Sequence, residues 1–111
     1  MKFDKEKKFE KAIELYDMAI DLNPNLEPAV FNKALCLHNL GHFEEAIKFH
    51  DEAINLCLSL LEPCEKASFH KGITLFELGR YEEAIELYDR AIALRPSHYE
   101  YFHSKGMVLT S

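Results

Sequence analysis

Residues 78–96, LGRYEEAIELYDRAIALRP, are a degenerate copy of two other stretches of the same chain. Residues 40–56 match residues 78–94 at 10 of 17 positions, and residues 9–24 match residues 81–96 at 11 of 16. The register is 34 residues from Ala12 to Ala46 and 38 from Ala46 to Ala84. The segments before the glycines repeat as well: NKALCLHNLG, HKGITLFELG and SKGMVLTS place Lys33, Lys71 and Lys105 in equivalent slots. A period of this length, built from paired helical patterns, predicts an all-α solenoid in which each unit buries its apolar face against its neighbours.

Local chemistry explains the pattern. Ala12 and Ala19, Ala46 and Ala53, and Ala84 and Ala91 are each seven residues apart. Each pair therefore shares one helical face and lets a neighbouring backbone come close. Gly41 and Gly79 end apolar periodic runs by supplying a left-handed backbone. Asn23-Pro24 and Arg95-Pro96 close helices because the residue before proline is pushed out of the helical region. Helices are predicted at 8–22, 27–39, 43–61, 64–78, 81–94 and 98–109, with residues 1–7 as the frayed last turn of an earlier helix. The four extra residues of the middle copy fall in INLCLSLLEPCEK, close to one helical turn, so a lengthened helix keeps its apolar face in phase. Leu56, Leu58, Leu60 and Leu61 favour helix there, with Pro63 near the start of the next.

These residues resemble the tetratricopeptide repeat, a unit of two antiparallel helices. In the fully matched copy, Gly72 and Leu75 stand where the first helix carries its signature, Gly79 marks the turn, and Tyr81, Ala84, Tyr88, Ala91 and Pro96 follow. Ser68 departs from the usual large aromatic, His50 stands where Tyr16 and Tyr88 stand, and Leu58 replaces a closing proline. The resemblance covers essentially the whole chain. It implies a right-handed superhelical solenoid of antiparallel helix pairs in one domain: a partial repeat over 1–26, a repeat with the insertion over 27–64, a repeat over 65–98 and a partial repeat over 99–111.

A formal charge of −6 leaves no basic stripe, which argues against a nucleic-acid partner. No run of about 18 apolar residues exists, and the start MKFDKEKK lacks an apolar signal segment, so neither a membrane span nor export is expected and a cytoplasmic chain is. Cys36, Cys57 and Cys64 make an odd set with no framework spacing and read as thiols in a reducing compartment. Cys57, Cys64 and His70 form no zinc pattern, and Gly41 breaks the helix between His38 and His42, so no metal or cofactor is expected. The acidic pairs Glu44-Glu45 and Glu82-Glu83 open helices, where carboxylates face the positive end of the dipole. No serine lies in a nucleophile elbow and four dispersed glycines form no phosphate loop, so the chain is read as non-catalytic.

The family's concave face is lined by the first helix of each repeat. The resemblance assigns Phe31, Asn32, Leu35 and His38 to it from the second copy, Lys66, Phe69, His70, Ile73 and Phe76 from the third, and Glu100, His103, Ser104 and Met107 from the last. For Leu35 and Ile73, packing between repeats is the competing role, and for Phe69 the core. A mostly apolar groove suits a peptide or amphipathic helix of a partner protein. A known family specialisation grips a chaperone's terminal carboxylate with five polar residues. Asn32 and Lys66 match it, but His70 replaces an arginine and two further positions fall before residue 1 or at Met1, which argues against that clamp.

The alternative function is structural. Phe9, Ile13 and Tyr16 near one end and Phe102, Met107 and Val108 near the other are expected to expose apolar surface. The two faces are complementary and predict a homodimer or head-to-tail oligomer, against a monomer whose last helix acts as the cap.

Overall fold

The computed structural model describes residues 2–60 and 65–111, with side chains from Lys5 onward. Among the described residues six helices follow in order: α1 (Lys2–Leu22), α2 (Glu27–Asn39), α3 (Phe43–Ser59), α4 (Glu65–Glu77), α5 (Tyr81–Leu94) and α6 (Tyr99–Leu109). Each packs on the next in sequence, and α2 also touches α4, so α2, α4 and α6 form one layer and α1, α3 and α5 the other. No strand occurs among the described residues.

The glycine turns have a full capping geometry. Gly41 sits at φ 82° and Gly79 at φ 77°, the left-handed region that a Cβ disfavours. At the first turn, the His42 amide donates to Leu37 O (2.8 Å) and the Gly41 amide to His38 O (2.9 Å). The Arg80 amide to Leu75 O (2.9 Å) and the Gly79 amide to Phe76 O (3.0 Å) repeat it. These paired bonds satisfy carbonyls that a helix end otherwise leaves bare.

Two of the three alanine pairs are fully buried, Ala46 with Ala53 and Ala84 with Ala91, as is Ala34, whereas Ala12 and Ala19 are only half-buried. One core cluster joins Phe69, Leu75, Ala84, Leu87, Tyr88, Ala91, Tyr101 and Val108, and a second joins Val30, Ala53 and Ala67. The equivalent lysines form a ladder across successive units: Lys33 pairs with Asp17 (2.6 Å), Lys71 with Asp51 (2.6 Å) and Lys105 with Asp89 (2.7 Å). Each pair ties one helix of the α1, α3, α5 layer, the outer one, to the next helix of the α2, α4, α6 layer, the inner one.

Several expectations change. Residues 2–7 are the beginning of α1 itself, not the remnant of an earlier helix, because no glycine or proline interrupts the chain before Asn23. α3 has 17 residues against 14 in α5, but it stops at Ser59, and Leu58 and Leu60 are exposed instead of extending the apolar face. Leu61, Pro63 and Cys64 lie outside the described residues. Val108 does not belong to an open end face. It is buried, turned inward one heptad after Tyr101 into the cluster that includes Leu87 and Ala91. Phe9, Ile13 and Tyr16 are half-buried, while Phe102 and Met107 are about half exposed.

Candidate functional site

The inner layer brings aromatic rings from three helices into one contiguous set. Phe31 of α2 meets the His70 ring of α4 edge-on, with centroids 5.3 Å apart. His70 in turn meets Phe69 at 5.4 Å, Phe69 meets Tyr101 of α6 at 4.6 Å, and Tyr101 meets His98 at 4.4 Å. Offset and edge-on contacts of this kind hold rings in place beyond their area burial. Between them lies a hollow of about 300 Å³ lined by Phe31, Lys66, Phe69, His70, Arg95, His98, Glu100 and Tyr101. A second hollow, between α4, α5 and α6, is lined by Ile73, Phe76, Glu77, Tyr88, Ser104 and Met107.

Several sequence-assigned inner-face residues thus converge. Phe31, Lys66, Phe69, His70 and Glu100 line the first hollow, and Ile73, Phe76, Ser104 and Met107 the second. Asn32, Leu35, His38 and His103 line neither, although all four keep some exposure. Phe69 is buried in the core against Tyr88 and Tyr101, so it forms the floor of the hollow and presents little surface of its own. Ile73 packs against the same core, in line with its competing role.

Arg95, His98 and Tyr101 were missed by sequence reasoning. Arg95 reads in the sequence only as a helix stop before Pro96, and His98 only as the first residue of the last helix. The fold returns that turn to the start of α4, where Arg95 Nε lies 3.4 Å from Oε1 of the nearly buried Glu65.

Three histidines set the electrostatics behind the hollow. His50, on α3, is fully buried with both ring nitrogens unpartnered among the described residues. Its ring stacks near His70 (6.3 Å) and tilts against Phe31 (5.9 Å). Burial above all, then the charges of His70, His38 and Lys71, pushes its pKa down to about 3. Burial also lowers His70, with His38 and Lys66 adding to the effect and Glu100 opposing it. His38 is lowered by burial against an opposing pull from Glu77.

Thr74 Oγ1 lies 2.9 Å from His38 Nδ1 and 3.1 Å from the His70 carbonyl, a hydrogen-bonded bridge from α2 to α4 behind the hollow. The fixed positive charge at the first hollow comes from Lys66 and Arg95, set against Glu100. Such a surface can take up an apolar side chain and orient an adjoining acidic or amide group.

Away from this face, Cys36 and Cys57 are buried thiols, and burial raises the Cys36 pKa. Glu44 and Glu45 open α3, and Glu82 and Glu83 open α5, as the dipole reading expects. No helix of the described residues is long and apolar enough to cross a membrane.

Comparison with known proteins agrees with this architecture. A family model described as tetratricopeptide repeat matches residues 26–97. The first such domain of human RPAP3, solved by NMR, covers 98% of the chain and 83% of its own at 27% identity, with a TM-score of 0.85. A structure described as the first TPR of Spaghetti (RPAP3) bound to the HSP90 peptide SRMEEVD gives 27% identity, the same coverages and a TM-score of 0.84. YrrB, described as a TPR protein with an unusual peptide-binding site, gives 26% identity over 90% of the chain and 50% of its own, with a TM-score of 0.81. Among curated sequences, an uncharacterised protein of Methanocaldococcus jannaschii is 57% identical over 37 residues, 33% of this chain and 43% of its own length. The chain thus spans less than half of that relative.

Proposed function

Since the chain belongs to the tetratricopeptide repeat family, we propose that it is a non-catalytic scaffold that binds a peptide or helix of a partner protein along the face built by α2, α4 and α6. The observation that carries this reading is the hollow in which Phe31, His70 and Tyr101 form an aromatic wall beside Lys66 and Arg95. A partner segment would place an apolar side chain against Phe31 and His70 and an acidic or amide group toward Lys66. Peptide binding by the RPAP3 domain, and the peptide-binding site described for YrrB, support a polypeptide as the ligand class. The net charge of −6 makes a nucleic-acid ligand a poor fit.

The test is selection of ligands from a random peptide library, followed by fluorescence-anisotropy titration of the enriched peptides against the wild type and Phe31→Ala. Phe31 is the better probe because it is half-buried, whereas removing Phe69 would also empty the core. Truncating Phe31 should weaken binding by about 1–3 kcal/mol. Enrichment of peptides that bind Phe31→Ala and Lys66→Ala as tightly as the wild type would sink this assignment.

A further inference from the structure

Two helix faces in this molecule are open where their internal counterparts are closed. In α4, Leu75 is fully buried, and a Cβ at Gly72 would stand 2.6 Å from Cε1 of Tyr88. At the equivalent positions in α6, Leu109 is 66% exposed, and a Cβ at Gly106 would meet nothing within 4 Å. In α5, Leu87 and Tyr88 are 5% and 2% exposed. Their equivalents in α1 are Leu15, 58% exposed, and Tyr16, half-buried. The α4 face and the α5 face cover each other within one chain. α6 therefore presents an uncovered copy of the first, and α1 an uncovered copy of the second.

We infer that α6 of one copy docks on α1 of a second copy in the register of α4 on α5, with Tyr16 of one over Gly106 of the other. The occupant is specified by the molecule itself. Phe102, Gly106 and Leu109, spaced along one face of α6, meet Ala12, Leu15, Tyr16 and Ala19, whose counterparts Ala84, Leu87, Tyr88 and Ala91 are all buried, with the Tyr88 ring and the Ala84 carbonyl against Gly72 of α4. Phe102 adds an aromatic where α4 has only Ser68, which enlarges the apolar area. This contact uses neither hollow of the inner face, so it stands apart from the peptide-binding proposal. The two surfaces differ, so the contact is heterologous: each added copy leaves one face of each kind open, and assembly continues until a ring closes.

Sedimentation equilibrium over a concentration series up to about 1 mM chain tests the docking. The wild-type mass should rise above 12.9 kDa with concentration. Gly106→Leu fills space that is empty in the single copy and replaces a helix-interior glycine, and Leu15→Glu changes an exposed side chain, so neither variant should melt below the wild type. Each should remain at 12.9 kDa alone. Mixed in equal amounts they should form a species of two chains and nothing larger, because each retains the face the other has lost. A wild type that stays monomeric throughout overturns the inference. So does a Gly106→Leu variant that associates like the wild type, which would mean that other surfaces carry the contact, and so does a mixture that remains monomeric.

Discussion

The ring of Tyr88 occupies the space that any side chain at residue 72 would need, since a Cβ built on Gly72 falls 2.6 Å from Tyr88 Cε1 and 2.9 Å from Cδ1. Tyr88 is buried, so the ring cannot swing aside. In the middle unit the equivalent pair is Ala34 and His50, both fully buried: a larger first residue faces a smaller ring. Volume has moved from one side of the contact to the other between the two units.

Gly72→Ala should therefore cost about 1–3 kcal/mol through overpacking. Combining it with Tyr88→His reproduces the Ala34–His50 pairing and should cost less than the two single changes added together. Urea unfolding of the four proteins measures the coupling, and strict additivity would show that the two residues do not share the contact.

Much of this fold is legible in the chain because the repeated alanines, glycines and prolines act on the backbone within one helix. The boundaries of α2 and α5 coincide with those expected, and Gly41 and Gly79 terminate helices as their positions implied. The binding face is less legible, since periodicity tells which residues share a face but not how deeply a neighbouring helix covers them. Phe31 and Phe69 occupy the same slot, yet α6 covers Phe69 through Tyr101 and leaves Phe31 partly open. Val108 turned inward for the same reason. Arg95 and His98 reach the hollow only through a turn whose direction depends on tertiary packing.

The buried histidine predicts an acid-sensitive fold. His50 has a folded-state pKa of about 3 against an ordinary value of 6.5, so the unfolded chain binds a proton more readily throughout that interval. Its contribution is intact above pH 6.5 and is lost as pH falls toward 3. At pH 5 the loss from this residue amounts to about 2 kcal/mol. His70 and His38 are shifted the same way and add to it. Urea midpoints between pH 7.5 and 5 should fall more steeply in the wild type than in His50→Leu, and parallel slopes would remove His50 as the cause.

Glycine substitutions should divide by backbone conformation. Gly79→Ala forces a Cβ into the left-handed region at φ 77° and should destabilise the chain by about 1–2 kcal/mol. Gly106→Ala, inside α6 with open space around its Cβ, should stabilise by up to about 1 kcal/mol through helix propensity. Thermal melts of the two variants should move in opposite directions.

The lysine ladder is the last case, and here geometry and energy part company. Lys33–Asp17, Lys71–Asp51 and Lys105–Asp89 are short, equivalent pairs that set each inner-layer helix against the outer-layer helix before it. Yet the aspartates are about half exposed, at 46, 47 and 51% of their side-chain surface, so water and salt screen most of the attraction. Lys71→Met, which keeps most of the aliphatic stem, should cost no more than about 1 kcal/mol, and that cost should shrink as salt is added. Reversing the sign at one partner with Lys71→Glu places like charges together and should cost more, while adding Asp51→Lys should recover most of the difference. Denaturation midpoints of these variants at low and high salt decide the point. A salt-independent loss from Lys71→Met would assign the lysine's role to its stem packed against the neighbouring helix, not to the ion pair.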